Sequence, residues 1–177
     1  EEVVKEKVKR QKKAAVEQPP QEEAPVPLIT ADSIKTAAGL FLLFLSIFLF
    51  VAFVSYLFTW KADQDKVLSF SWKIIFSKEA LVENTMGRMG AFLAHTFFYM
   101  LFGVASFFIP YVLFCLGVNV TFKEKVFRVK KIMLTSIIWI VFIATTASFL
   151  FPNFAFPFGG GMGTLLYDWL STFIGRL

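Results

Sequence analysis

The chain has 177 residues, of which 56% are hydrophobic, 24 are Phe and only 18% are charged, with a net charge of +5. A soluble domain of this size carries roughly a quarter charged residues. Here the charges also avoid Thr36 to Trp60, Ala91 to Phe122 and Ile132 to Tyr167. Helices of a soluble core need a wet face, so an ordinary soluble globule is excluded. A disulfide scaffold (one Cys, Cys115) and a disordered chain are excluded as well.

Residues 1–35 hold 14 of the 31 charged side chains. The Glu/Lys/Arg run from Glu1 to Lys13 predicts a solvated helix, and QPPQEEAPVP (Gln18 to Pro27) a polar linker. The apolar run that follows is too long for a secretory signal and lacks a small-residue cleavage site. With no initiator Met, the chain reads as a fragment.

Residues 36–60 form the first predicted span. They include 15 Leu, Ile, Val or Phe residues, for which insertion is favoured by on the order of 5 to 9 kcal/mol. Asp32 and Ser33 supply N-cap chemistry, and Tyr56 and Trp60 suit the far interface. In the following loop, 61–89, Leu68, Phe70, Trp72 and Ile74 alternate with polar residues. That period fits a short strand, and an interfacial helix through Glu83 fits equally well.

The second span, 90–118, is longer than one straight crossing requires and carries Pro110 in its later half. One long helix kinked at Pro110 is favoured over two shorter pieces, because two spans and a turn need about 40 residues or more. Gly87, Gly90, Ala91 and Ala94 make a small-residue stripe on which another backbone can come close, within the chain or from another subunit. His95 is the one ionisable side chain within this span. With no Asp, Glu, Lys or Arg in any span to relay a proton, it reads as structural, reaching water or a carbonyl.

Loop 119–131 carries Lys123, Lys125, Arg128, Lys130 and Lys131 against Glu124. The positive-inside bias places it in the cytoplasm, able to touch anionic lipid, and parity places the N-terminal tail there too. The third span, 132–151, ends at Pro152. In 152–177, Gly159 to Thr164 superficially resembles a phosphate-cradling loop. It lacks a Walker A Lys and a preceding strand, so it reads as a flexible turn. An amphipathic helix from Thr164 follows. Thr164, Asp168, Ser171 and Gly175 share one face, and Leu166, Trp169, Leu170, Phe173 and Leu177 the other. At about 14 residues it is too short to span, so it lies at the interface or against the other helices. The fold class is thus an all-α integral membrane protein with three transmembrane helices and a C-terminal amphipathic helix. No catalytic, cofactor-binding or metal-ligating constellation is expected: one His and one Cys leave little material for either chemistry.

Asn84 to Val118, NTMGRMGAFLAHTFFYMLFGVASFFIPYVLFCLGV, resembles the second span of the four-span N-terminal domain of FtsK/SpoIIIE DNA translocases. The resemblance rests on the G-x-x-G-A-x-x-A start (Gly87, Gly90, Ala91, Ala94), the central Phe102-Gly103 and the late Pro110. The order of charged tail, span, outer loop, this segment, basic turn, span and Gly-rich stretch is similar too, over about residues 36–177. It implies a truncated four-span domain in a bacterial inner membrane, at the division septum, that anchors a larger protein. That parent would be a hexameric DNA pump acting in chromosome segregation. ATP, Mg and DNA would belong to a motor absent from these residues, and the partners here would be lipid, other copies and division-site membrane proteins. A small subunit of a transporter or secretion assembly is the alternative.

Overall fold

The computed structural model describes residues 2–16, 30–68 and 82–175. All regular structure among them is helical. The Leu68–Ile74 alternation lies, beyond Leu68, outside the described residues. The chain divides at Ala31 into two units. The first holds α1 (Glu2–Val16), exposed over Glu2–Arg10, with an Arg10–Glu6 pair at 3.0 Å, one turn apart.

In the second unit, α2 (Ala31–Leu68) runs about 57 Å at helical rise. It continues past the predicted outer boundary at Trp60 because 61–68, KADQDKVL, contains no Gly or Pro to stop it. After α3 (Gly87–His95) come a π-helical turn (Thr96–Phe102) and a 3₁₀ turn (Gly103–Phe107), then α4 (Phe108–Phe122). Last are α5 (Val129–Leu150) and α6 (Gly160–Ile174). Three helical stretches are long and apolar enough to cross a membrane: Ala31–Gln64, Gly87–Phe122 and Val129–Leu150.

The second stretch is sharply folded. Ser106 Oγ donates to the Phe97 carbonyl at 2.7 Å, and the rings of Phe98 and Phe107 sit 5.6 Å apart. Nine residues of straight helix would separate such groups by about 13 Å. The chain turns at Gly103, whose φ of 58° and ψ of −136° suit Gly alone. This corrects the sequence expectation of a bend at Pro110. Pro110 lies in the first turn of α4, where a missing N–H costs little, and its carbonyl accepts the Ser46 hydroxyl at 2.7 Å.

Beyond Gly103 the chain runs antiparallel to α2. Phe107 meets Phe50 and Phe53, Pro110 meets Ser46, Gly117 meets Leu43, and Thr121 meets Gly39. Before Gly103, Gly90, His95, Phe97 and Phe98 all meet α2 between Ala52 and Tyr56. The piece 87–102 therefore lies across α2, and 103–122 lies along it.

α6 turns its glycines to its neighbours. Gly160 and Gly163 are buried and Leu166, Tyr167 and Ser171 half-buried, while Leu165 (66%), Trp169 (60%) and Phe173 (71%) stay exposed. The helix thus lies against the other helices, one of the two placements the sequence allowed, with Trp169 and Phe173 turned away from them. In lipid, large apolar groups gain little by leaving hydrocarbon, and close approach favours small residues.

A junction of broken helices as the candidate functional site

The irregular backbone gathers at the end of the bundle away from loop 119–131. Residues 151–159 fold back so that the Phe156 ring meets Tyr56 at a tilt and Trp60 and Phe98 edge-on. The Phe158 carbonyl accepts Val104 N–H at 2.9 Å, so the bond lost at the Gly103 turn is replaced from another element. Ser106 Oγ also donates to the Phe97 carbonyl inside the π-helical turn. Backbone outside regular helices survives at membrane depth only where protein satisfies it in this way.

The glycines predicted as a flexible turn are structural here. Gly160 (φ 66°), Gly161 and Gly163 form the first turn of α6, pressed on backbone. A Cβ on Gly160 would stand 2.4 Å from the Leu101 carbonyl oxygen, and one on Gly163 2.4 Å from that of Ala144. A cavity of about 660 Å³ opens beside this contact, lined by Tyr99, Phe154, Phe156, Tyr167 and Asp168 among others.

His95 is 1% exposed and its Nδ1 lies 2.9 Å from the Tyr56 hydroxyl, with its ring stacked on Tyr99 at 4.9 Å. Its Nε2 has no hydrogen-bond partner among the described residues. The sequence reading gave His95 water or a carbonyl as its partner; its Nδ1 instead meets the Tyr56 hydroxyl, and Tyr56 itself is buried in the core. Tyr56→Phe leaves Nδ1 unpaired in a buried site. We expect a loss of about 1 to 3 kcal/mol, read by thermal unfolding in detergent.

Sequence reasoning missed Asp63. It is fully buried, and its carboxylate accepts Glu83 N–H at 2.7 Å and Asn84 N–H at 3.0 Å. Asn84 then donates to the Ala52 carbonyl at 2.9 Å and accepts Met86 N–H at 3.0 Å, which fixes the start of α3 on α2. No spacing marks Asp63. An Asn-Thr pair just ahead of an apolar helix was a readable capping signal.

Among the residues singled out from sequence, Gly90, Ala91 and Ala94 are buried within the chain, and Gly87 opens α3 with nothing near its Cβ position. Gly103 is the turn and Pro110 faces Ser46. Lys123, Lys125, Arg128, Lys130 and Lys131 stand exposed at the opposite end, with Lys123 paired to Asp32 at 3.1 Å. Asp168 is exposed on α6, far in sequence from any histidine. Among the described residues no cluster of three His, Cys, Asp or Glu side chains could hold a metal. Among the described residues His95 has the Tyr56 hydroxyl as its hydrogen-bond partner and stacks on the Tyr99 ring.

Comparison with curated proteins gives no match, and comparison with solved structures gives none either. A family model, the 4TM region of DNA translocase FtsK/SpoIIIE, matches residues 32–177. That stretch covers the three apolar helices, the Gly103 junction and α6, so this membrane protein belongs to the FtsK/SpoIIIE 4TM family.

Proposed function

We propose that the chain anchors and oligomerises a DNA translocase that acts in cell division and chromosome segregation. The observation that carries this reading is the family match over 32–177, joined to three helices of membrane-crossing length. The residues given do no chemistry in this reading: ATP, Mg and DNA are handled by a motor elsewhere in the parent. The domain holds that motor to a bacterial inner membrane, in a ring of copies, six by family resemblance, at the septum and beside other division-site membrane proteins. Its N-terminal tail and loop 119–131 face the cytoplasm, in keeping with five cations in that loop.

Two measurements test the reading. A fluorescent fusion to the N-terminus should gather at the division septum, and chemical cross-linking in membranes should give a ladder that ends at six copies. Even fluorescence around the cell together with monomer alone would remove the division and oligomer roles. For orientation, Lys125→Cys should resist a membrane-impermeant maleimide in intact cells and react after permeabilisation. Labelling from outside would invert the topology.

A further inference from the structure

The five cations of loop 119–131 sit on an ordered scaffold. Asn119 clasps Phe127 across the loop, donating to its carbonyl at 2.7 Å and accepting its N–H at 2.8 Å. Lys123 closes α4 in the left-handed conformation. Glu124 lies within the loop, and Asp32 pairs with Lys123. Beside them Phe122 (66% exposed) and Val126 (57%) project from the surface.

We propose that this end of the bundle is a selective binding surface for anionic phospholipid headgroups. Cations fixed at the ends of two membrane-crossing helices lie at headgroup level, where each favours a negative lipid. Phe122 and Val126 suit the boundary between headgroups and acyl chains. Duplex DNA also offers phosphates but gives two exposed apolar side chains no partner, and so the surface fits lipid better. The proposal rests on the chain lying in a bilayer and is independent of its family role or orientation.

The full chain, purified in detergent with an equimolar mixture of phosphatidylglycerol and phosphatidylcholine, is assayed for retained lipid by mass spectrometry. We expect phosphatidylglycerol to be enriched about tenfold at 0.1 M salt and hardly at all at 1 M, where screening shortens from about 10 Å to about 3 Å. The variant K125Q/R128Q/K130Q/K131Q should fall close to unity while its helix content and melting stay unchanged. Its counterpart in the tail, K5Q/K7Q/K9Q/R10Q, should keep the enrichment. Equal retention of both lipids by the native chain, or equal loss in the two variants, overturns the proposal. So does tight binding of a short duplex DNA, abolished by the loop variant, without lipid preference.

Discussion

Gly103→Ala is expected to cost about 3 to 5 kcal/mol, enough to deplete the folded chain, as read by unfolding in detergent. Two effects add. The backbone at φ 58°, ψ −136° is open to Gly and costs another residue about 1 to 3 kcal/mol. A Cβ there would also stand 1.9 Å from the Phe158 carbonyl oxygen, so the 151–159 segment must withdraw and Val104 N–H loses its acceptor. Gly87→Ala separates the two effects, because Gly87 has φ 65° and open space around it. It should cost only about 1 to 2 kcal/mol, the conformational share. Gly160→Ala strikes the same contact from the other side, meeting the Leu101 carbonyl and Gly103 N. The double variant Gly103→Ala/Gly160→Ala should therefore lose less than the sum of the singles. If Gly103→Ala melts like Gly87→Ala, the contact with Phe158 does not hold the junction together.

That the chain forms three helices long and apolar enough to cross a membrane was legible in the sequence; how it turns was not. Charge-free runs of 20 or more residues leave lipid as their natural surroundings, and the three apolar helices follow them. The turn was misplaced because Pro110 is a strong local signal, whereas Gly103 is one small residue in an apolar run. Its role depends on Phe158, which lies in another part of the chain. The same holds for the run Gly159 to Gly163. Composition alone makes it a flexible turn, and only the backbones of Leu101, Gly103 and Ala144 pressing on it make it the start of a helix. For α6 the sequence named two faces and left open which of them meets the protein. An apolar stripe seeks a core in water, but in hydrocarbon it has no such preference, and the small residues face the protein.

Asp63 is the second position where one residue decides the architecture, and no pattern in the sequence marks it. The apolar part of α2 ends near Trp60. One turn further, Asp63 is fully buried and accepts from two consecutive backbone N–H groups as the chain returns at Glu83 and Asn84. Because those N–H groups are fixed where the chain bends toward α3, the carboxylate sets where 87–102 begins its path across α2. Asp63→Ala leaves both donors without an acceptor, and we expect a loss of about 2 to 4 kcal/mol. Asp63→Asn keeps one oxygen as acceptor and should lose roughly half as much. Asn84→Ala removes the bonds to Ala52 and Met86, a further about 1 to 2 kcal/mol. Since both residues secure one turn, the pair of substitutions should cost less than the sum. Hydrogen exchange at 83–86 gives a local reading, with protection lost in Asp63→Ala well before α5 opens. An Asp63→Ala chain that melts and exchanges like the native one would mean that the turn is held by Asn84 and by Ser55, which accepts Thr85 N–H at 2.9 Å, and that the buried carboxylate adds nothing.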